Sequence, residues 1–445
     1  MRILFLSTNR FRIEVVQPMP IGLACVIAGI DENAHAIEVV DLMFSEDPAA
    51  ELTAALERFR PELVAVSIRN TDNLSHLAPQ YFLPEAKQML DICREVSGAK
   101  IVVGGAAFTT VPEALFEYLE PDFGIAGDGE IAFPQLVECI ENDTDWSEVP
   151  GLVWRANGRV RTNAPAFIED WNGLRLPRRD LFDLRKYAEV GGASNIVISQ
   201  GCPMRCHYCD DPHRLGRKQR RKAVEQVIDE LEAMSAEASD MPIFFTAPIF
   251  NSPASNAKKV CRGIIERGLE IRWTGLIHPA FLDDELAELM QRSGCMAVSL
   301  SCDSCSERML ETLRKDITKQ QLESAIALLE KHGILYMLTI LFGGPGEDRE
   351  SIDETLDFLR SKKPLMVAFA LGIRILPNTA LAEMAVEQRL IAADDPLMEP
   401  KYYLSPGVEG WARGYLEEVC AERDDWSFSV LEESSDVISE ALPPH

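Results

Sequence analysis

The sequence predicts an α/β protein, with a doubly wound parallel sheet at the amino terminus and a partial (β/α)6 barrel after it. Strand-like and helix-like segments alternate twice along the chain, a pattern that favours parallel sheets covered by helices. The length of 445 residues suits two or three domains rather than one. We therefore predict a Rossmann-like domain over 1–145, a linker with a hairpin over 146–192, the barrel over 193–380, and an irregular carboxy-terminal lid over 381–445.

The first domain shows short apolar strands separated by amphipathic helices. The predicted strands are Ile3–Ser7, Ile37–Leu42, Leu63–Ser67, Ile101–Val103 and Phe123–Ala126. The predicted helices are Ile21–Ile30, Ala49–Phe59, Pro84–Val96 and Pro112–Leu119. Ligands of such sheets bind beyond the carboxyl ends of the strands, where this chain has glycine-rich and polar loops. Those loops could cradle a bulky cofactor, although glycine after a strand is also ordinary turn chemistry.

The linker and the barrel follow. A hairpin over Gly151–Thr162 is indicated by the turn residues Asn157 and Gly158. The predicted barrel strands are Asn195–Ser199, Ile243–Thr246, Ile271–Leu276, Ala297–Leu300, Leu335–Leu341 and Val367–Ile373. The helices between them are predicted at Ala223–Ala236, Ala257–Arg267, Asp283–Ser293, Lys319–His332 and Asp348–Leu359. The chemistry of such a barrel lies at the carboxyl ends of its strands, and the last dozen residues are expected to be disordered.

Composition narrows the choice of partners. The chain has 71 acidic residues against 44 basic ones and a formal charge of -27. This charge disfavours nucleic acids and anionic membranes, because both would be repelled. We expect a small-molecule or peptide substrate and a monomeric chain. The absence of a signal-peptide pattern, and of any apolar run near the roughly 20 residues that span a bilayer, favours the cytoplasm.

The eleven cysteines divide into two groups. Five are clustered, and clustered thiols in a reducing compartment indicate metal ligands or catalysts. The clustered residues are Cys202, Cys206, Cys209, Cys302 and Cys305. The other six are expected to be small core residues: Cys25, Cys93, Cys139, Cys261, Cys295 and Cys420.

Three of the clustered cysteines form a C-x3-C-x2-C motif in the loop after the first barrel strand. They are Cys202, Cys206 and Cys209. Three thiolates at this spacing could hold three irons of a four-iron cluster and leave one iron without a protein ligand. The alternative is a structural zinc site, which would take His207 or His213 as its fourth ligand. The loop position and the aromatic Tyr208 before the last cysteine favour the cluster.

This motif resembles that of the radical S-adenosylmethionine (SAM) superfamily, over about residues 190–380. The resemblance implies a four-iron–four-sulfur (4Fe-4S) cluster whose fourth iron is chelated by SAM, and an electron donor such as flavodoxin or ferredoxin. Reduction would cleave SAM to a 5′-deoxyadenosyl radical. The segment Ile340–Glu347 resembles the family's glycine-rich segment near the adenosine. The other residues that the resemblance places beside SAM are Tyr208, Ser299, Ser301, Asp303 and Arg374.

One segment departs from the family pattern. Relatives carry an acidic or polar group after the second barrel strand, where it receives the SAM amino group. Here Phe245–Asn251 has no carboxylate, and Pro248 has no N–H to donate. Either Thr246 and backbone carbonyls receive the amino group instead, or SAM is held in an unusual way.

Two further groups of residues receive no cofactor role. We expect Cys302 and Cys305 to serve only as small side chains near the cofactor, rather than as a second metal site or a redox disulfide. The basic run after the cluster motif is expected to be a solvated face with local pairing to Asp210, Asp211 and Glu225. Its members are Arg214, Arg217, Lys218, Arg220, Arg221 and Lys222.

Joined to such a barrel, the first domain resembles the cobalamin-binding domain of cobalamin-dependent radical SAM proteins. Four segments match in order: Pro18–Ala24, Ser67–Asn73, Val103–Gly105 and Gly127–Glu130. The resemblance implies cobalamin contacts from Pro20, Gly22, Ser67, Arg69, Asn70, Gly104, Gly105, Gly127 and Glu130. The Asp-x-His-x-x-Gly signature by which other cobalamin proteins ligate cobalt is absent, so His35 and His76 are expected to be surface or turn residues.

Arg69 is the candidate for the side chain that the resemblance places beneath the corrin ring. A guanidinium stays charged and only donates hydrogen bonds, so it cannot ligate cobalt. We expect the metal to lack a lower ligand, which would favour transfer of a methyl cation. With the three cluster cysteines, Arg69 completes the set of candidate catalytic residues. The alternative is a solvated loop arginine.

The resemblance implies a cobalamin-dependent C-methyltransferase that moves a methyl group from SAM to cobalamin and then to a substrate carbon, with the substrate between the two domains. The altered segment Phe245–Asn251 and Arg69 favour an aromatic carbon, and the indole of tryptophan is the first candidate, as in the tryptophan 2-C-methyltransferases. One alternative is ring contraction or cyclisation with the same cofactors. A tRNA-modifying enzyme is disfavoured by the charge, and a non-catalytic cobalamin-binding protein by the three intact cysteines.

Overall fold

The computed structural model describes residues 1–11, 17–165, 167–237 and 241–428. Two parallel sheets, each with helices packed on it, form the two halves of the molecule. Within the described ranges, every helix is too short or too polar to cross a membrane.

The first sheet has seven strands. They are β1 Arg2–Ser7, β2 Ala36–Asp41, β3 Leu63–Ser67, β4 Lys100–Gly104, β5 Phe123–Ile125, β6 Leu152–Ala156 and β7 Arg159–Thr162. Their order is β2-β1-β3-β4-β5-β6-β7. The first five are parallel, and β6 and β7 form an antiparallel hairpin on the β5 edge. The hairpin expected in the linker thus extends the first sheet.

Helices cover both faces of this sheet. They are α1 Ile21–Ala28, α2 Pro48–Phe59, α3 Leu83–Ser97, α4 Ala106–Thr110, α5 Pro112–Leu119 and α6 Gly129–Asn142, with a 3₁₀ turn at Leu42–Phe44. Alternate residues of β1 point to opposite sides: Leu4 and Leu6 pack in one apolar layer, and Ile3 and Phe5 in the other. Burial on both faces explains why the strands are continuous apolar runs.

The second sheet forms the barrel. The strands of this half are β8 Ser194–Val197, β9 Ser199–Gln200, β10 Arg220–Arg221, β11 Ile243–Thr246, β12 Trp273–Ile277, β13 Cys295–Asp303, β14 Leu335–Phe342, β15 Met366–Leu371, β16 Ile373–Arg374, β17 Tyr402–Tyr403 and β18 Trp426–Ser427. The barrel order is β18-β15-β14-β13-β12-β11-β8, and all neighbours are parallel. The predicted fold class is confirmed, and β18 adds a seventh strand beside β15.

The helices of the second half extend into the carboxy-terminal segment. They are α7 Leu184–Glu189, α8 Asp211–Arg214, α9 Val224–Glu237, α10 Ala254–Arg267, α11 Asp284–Arg292, α12 Glu307–Thr312, α13 Lys319–Lys331, α14 Arg349–Arg360, α15 Ala380–Glu387 and α16 Ala412–Cys420, with 3₁₀ turns at Arg179–Leu181 and Pro279–Phe281. The segment from 381 was expected to be irregular, but it carries helices and short strands. Val408, Leu416 and Trp426 are buried in the barrel core, which explains its regular structure. The last dozen residues lie outside the described ranges.

Candidate cofactor site

The cluster motif forms a loop directly after β9, beyond the carboxyl end of β8. Gly201 precedes it with a φ of 83°, and a Cβ at this position would lie 2.2 Å from a backbone carbonyl oxygen. The Cys202 N–H donates to the carbonyl of Gly216 (3.0 Å), and the His207 N–H donates to that of Leu313 (3.0 Å). The loop is therefore anchored at two points, and its three cysteines are free thiols.

The spacing of these thiols distinguishes a cluster from zinc. Tetrahedral zinc with Zn–S bonds of about 2.3 Å brings its sulfur ligands to about 3.8 Å from one another. The Sγ atoms of Cys202, Cys206 and Cys209 do not all lie within 4.8 Å of one another. Such a separation fits a larger centre, such as a four-iron cluster, better than a closed zinc site.

Burial affects the protonation of the same thiols. It raises the pKa of the Cys202 thiol to about 11, and it also raises the pKa of Cys206 and Cys209. Desolvation of the thiolate is the largest cause in each case. Binding of a metal centre must therefore release protons from this loop.

A buried ammonium group, absent from the sequence predictions, lies beside the cluster loop. The Nζ of Lys315 lies 2.6 Å from the carboxylate of Asp303 and donates to the hydroxyl of Ser301 (3.0 Å). Asp303 also accepts a hydrogen bond from the hydroxyl of Tyr208. Burial alone would lower the pKa of Lys315, but Asp303 and Cys206 raise it overall. Tyr208 and Ser301, both predicted beside SAM, are thus joined through a residue that no sequence motif marks.

The side chains that line the inner face of the barrel are set by the alternation of residues along its strands. On β13, Ser299 and Ser301 are partly exposed, whereas Leu300 and Cys302 are buried. Thr246 of β11 is also partly exposed, yet its Oγ1 is buried and has no hydrogen-bond partner among the described residues. An unpaired buried hydroxyl costs free energy, so a ligand amino group would be a favourable partner. This geometry fits the role predicted for Thr246, which stays a prediction.

The glycine-rich segment after β14 is held in place by Glu347. The carboxylate accepts hydrogen bonds from the N–H groups of Gly343 (2.5 Å) and Gly344 (3.1 Å). Gly343 has a φ of 93°, in the region that favours glycine. Burial raises the pKa of Glu347 to about 7. The segment therefore presents a defined backbone edge at the carboxyl end of the barrel.

Arg374, which was predicted beside SAM, joins the two domains. Its Nε donates to Asp72 (3.1 Å), and its terminal nitrogens donate to the carbonyls of Ile375 (2.6 Å) and Leu397 (2.9 Å). Both charged side chains are buried, and Asp72 belongs to the loop after β3. Contact of Arg374 with SAM stays a prediction.

Two more contacts join the same edges of the domains. Thr110 of α4 donates to Asp210 of the cluster loop (2.8 Å). Asp128, after β5, forms a buried ion pair with Arg220 at 2.6 Å. All three contacts connect segments that follow β3, β4 or β5 of the first sheet to the cluster loop or to short strands of the second half. They bring the segments that carry predicted cobalamin residues next to the cluster loop and its neighbours.

The predicted cobalamin residues lie together at that edge of the first sheet. Pro20 and Gly22 stand at the start of α1, and the others end or follow β3, β4 and β5: Ser67, Arg69, Asn70, Gly104, Gly105, Gly127 and Glu130. A Cβ at Gly105 would lie 2.5 Å from the carbonyl oxygen of Ile68, so packing alone requires glycine there. Burial raises the pKa of Glu130 to about 7. Contact of these residues with cobalamin stays a prediction.

Arg69 lines a cavity at the carboxyl ends of β1 and β3. The cavity measures about 380 Å³, and its lining includes Thr8, Asn9, Arg10 and Asn70. Among the described residues, no carboxylate lies within 4.0 Å of the Arg69 guanidinium, whose pKa is lowered by burial. Arg69 is partly exposed, and Glu85 also lines the cavity. A partly desolvated cation without a contacting carboxylate is left short of acceptors, so a ligand rich in acceptor groups would stabilise it. A corrin with its amide side chains fits this requirement.

The second cysteine pair lies on the other side of β13. Cys302 and Cys305 are 0% exposed, and the Cys305 N–H donates to the hydroxyl of Thr355 on α14 (3.2 Å). They were expected near the cofactor, but they pack against the helical layer. Burial raises the pKa of the Cys305 thiol well above its ordinary value, which makes it a poor nucleophile.

The six single cysteines were expected to be small core residues. Three of them are buried: Cys93, Cys261 and Cys295. The other three are partly exposed: Cys25, Cys139 and Cys420.

Comparison with known proteins identifies both domains. The radical SAM superfamily model matches residues 196–359, and the B12 binding domain model matches residues 16–137. An uncharacterized methyltransferase of Pyrococcus horikoshii is 26% identical over 401 residues, covering 87% of this chain and 85% of that protein. The tryptophan 2-C-methyltransferase of Streptomyces laurentii is 26% identical over 434 residues, covering 83% of this chain and 72% of that protein.

A solved structure shows the same fold. The radical SAM methyltransferase TsrM from Kitasatospora setae, with cobalamin and a 4Fe-4S cluster bound, superposes with a TM-score of 0.84 at 23% identity. The match covers 96% of this chain and 92% of that chain. One family model covers the three cluster cysteines, and the other covers the loops around Arg69. The chain therefore contains a radical SAM domain over 196–359 and a B12-binding domain over 16–137, the two domains for which a 4Fe-4S cluster, SAM and cobalamin were expected as cofactors.

Proposed function

We propose that this chain is a cobalamin-dependent methyltransferase that moves a methyl group from SAM to a carbon atom of a small molecule. The observation that carries the proposal is the set of contacts by which the segments after β3, β4 and β5 meet the cluster loop and its neighbours. The cluster loop and Thr246 lie at the carboxyl ends of barrel strands, and Arg69 follows the carboxyl end of β3 in the first sheet. Two relatives that match most of the chain are named as methyltransferases, which supports the same conclusion.

The chain's own residues would bind and orient the cofactors, which supply methyl transfer and one-electron chemistry when bound. Cys202, Cys206 and Cys209 would hold the cluster. Thr246 and Ser299 would hold SAM from the inner face of the barrel. Arg69 would contact the bound cobalamin from its cavity, and it would not itself ligate cobalt, because a guanidinium has no lone pair to offer.

We further propose an aromatic carbon as the methyl acceptor, with the indole of tryptophan as the first candidate. The relative from Streptomyces laurentii is named for that activity. The segment after β11 offers the hydroxyl of Thr246 where a carboxylate was expected. An electron-rich aromatic carbon can form the new C–C bond as a nucleophile and then lose its proton, without prior removal of a hydrogen atom.

Anaerobic reconstitution tests the proposed function. The full chain would be loaded with iron, sulfide and cobalamin, and then incubated with SAM, a reductant and tryptophan. We expect about four irons per chain, bound cobalamin, S-adenosylhomocysteine and a methylated indole. Zinc without iron, or a loaded protein that forms no S-adenosylhomocysteine with any acceptor, would contradict the proposal. Methylation with 5′-deoxyadenosine as co-product would show that the radical route is used instead.

The role of Arg69 has a separate test in the visible spectrum of bound cobalamin. We expect R69H to supply a nitrogen ligand, and R69L to admit water to the lower face, so both variants should shift the cobalt absorption bands. Arg10 lines the same cavity, and R10L is the matched control. An unchanged axial state in both Arg69 variants would show that this residue does not lie beneath the ring.

A further inference from the structure

One stretch of the chain is basic, whereas the chain as a whole is acidic. Residues 201–222 contain seven Arg or Lys residues and two Asp residues, whereas the full chain has 71 acidic residues against 44 basic ones. This stretch includes the cluster motif and the basic run that follows it. The run was expected to be a solvated face, and neither the fold nor the proposed function accounts for all of it.

Part of the run is buried and structural, which corrects that expectation. Arg220 pairs with Asp128 at 2.6 Å, and its guanidinium lies 4.8 Å from the ring centre of Phe167. Lys222 pairs with the buried carboxylate of Glu230 at 2.5 Å. Arg220 joins the barrel to segments that precede it, Lys222 pairs with α9 of the same half, and neither cation is available to a partner.

Three of the remaining cations in this stretch are exposed. Together with the exposed Arg314, which belongs to another segment, we call them the basic rim: Arg205, Arg217, Lys218 and Arg314. Arg205 stands directly before the cluster ligand Cys206. Arg217 and Arg314 each follow a residue whose carbonyl accepts one of the two hydrogen bonds that anchor the loop. The rim therefore lies on the loop that carries the cluster ligands and on both of its supports.

Most of this positive charge is not neutralised within the described part of the chain. There, no carboxylate lies within 4.0 Å of the guanidinium groups of Arg205, Arg217 or Arg314. Lys218 pairs with Glu169, but both side chains are exposed, and such a pair contributes little. Asp316, two residues beyond Arg314, is exposed and offsets part of its charge.

We propose that the basic rim is the docking surface for a small acidic electron-carrier protein that reduces the cluster. One electron would pass from the reduced carrier to the oxidised cluster, with no bond made or broken and no proton transferred. Because Arg205 directly precedes the cluster ligand Cys206, a protein seated on the rim would contact the loop that holds the cluster. The proposal rests on the proposed function only in requiring that the cluster is present.

Charge complementarity makes this surface selective. A chain of charge -27 repels an acidic partner over most of its surface, so the rim is where the encounter is favoured. Repulsion elsewhere fixes the orientation of the partner as much as attraction at the rim does. A nucleic acid would need a longer basic surface than four cations with exposed acids nearby, so we favour a compact protein.

The experiment follows reduction of the cluster by an acidic flavodoxin in stopped-flow absorbance, without substrate. The test variant is R205E/R217E. The control is R159E/R161E on β7, which changes the net charge equally at two exposed arginines of the first domain. We expect the second-order rate constant at low salt to fall about tenfold or more in the test variant and less than about twofold in the control. The wild-type rate should also fall steeply with added salt.

A small reductant separates lost docking from a damaged cluster. Photoreduced deazaflavin should reduce the wild type and both variants at similar rates, with equal iron content. If R205E/R217E binds less iron, R217E/R314E replaces it, because both of its changes lie outside the cysteine motif. The proposal would be overturned if flavodoxin reduced the cluster equally fast in the wild type and all variants that carry it, or if the rate of reduction did not depend on salt. RNA binding that the wild type shows and the test variant loses would assign the rim to nucleic acid instead. Because methyl transfer is not measured, these outcomes do not depend on the proposed function.

Discussion

Two C-x2-C pairs lie at the same end of the barrel, and their surroundings are opposite. Cys206 and Cys209 are partly exposed, in a loop anchored by backbone hydrogen bonds. Cys302 and Cys305 are fully buried in the barrel core. Cys302 follows the inward-facing Ser301 on β13, so strand alternation turns it towards the helices. Cysteine spacing therefore indicates a metal site only where the backbone presents the thiols to a cavity.

Removal of one thiol from each pair should give the largest difference. Cys206→Ala leaves the cluster two thiolate ligands, and we expect bound iron to fall at least about tenfold and methyl transfer to be lost. Cys302→Ala should retain full iron content. Iron analysis and electron paramagnetic resonance would measure both. Equal loss of iron in a folded Cys302→Ala protein would show that the second pair also serves the cluster.

Between the two pairs, the buried Lys315 should matter for stability. Lys315→Met leaves the Asp303 carboxylate buried without its cation, and we expect the free energy of unfolding to fall by about 3–5 kcal/mol. The double variant K315M/D303N should recover most of that loss, because it removes the unpaired charge. Urea unfolding of the apoprotein measures both. A single variant as stable as the wild type would mean that the ion pair contributes nothing.

In the apoprotein, alanine substitution should destabilise the protein more at Cys302 than at Cys206, which is the reverse of the expected order for loss of iron. Cys302→Ala opens a small cavity in the core, and we expect a loss of about 1–2 kcal/mol. Cys206→Ala removes a partly exposed thiol and should change stability by less than about 0.5 kcal/mol. Chemical denaturation without iron distinguishes the two. A larger loss for Cys206→Ala would place its side chain in the core.

The smallest effect concerns thiol reactivity. In the folded apoprotein, maleimide should label Cys206 and Cys209 before Cys302 and Cys305, since the second pair becomes accessible only on local or global opening. Peptide mass spectrometry over a time course would measure the order. Simultaneous labelling of both pairs under native conditions would remove the contrast between them.

The strands were the most predictable part of this fold. Leu63–Ser67 and Ile243–Thr246 were predicted to the residue, because short runs of branched or aromatic apolar residues bounded by polar and turn residues indicate strands. The segment beyond 381 was not predicted, because its helices and strands depend on contacts with a barrel core assembled from distant residues. The hairpin was recognised, but its place on the edge of the first sheet depends on β5.

By itself the sequence determined the features whose cause is local. The alternation of strands and helices and the cysteine motif both depend on residues that are near one another in the chain. Only the tertiary structure decided the partners of isolated charges, such as Arg374 with Asp72, which are separated by 302 residues. It also paired Lys315 with Asp303, beside the cluster loop. A buried charge must pair with whichever opposite charge the packing brings within reach, and no local pattern records that choice.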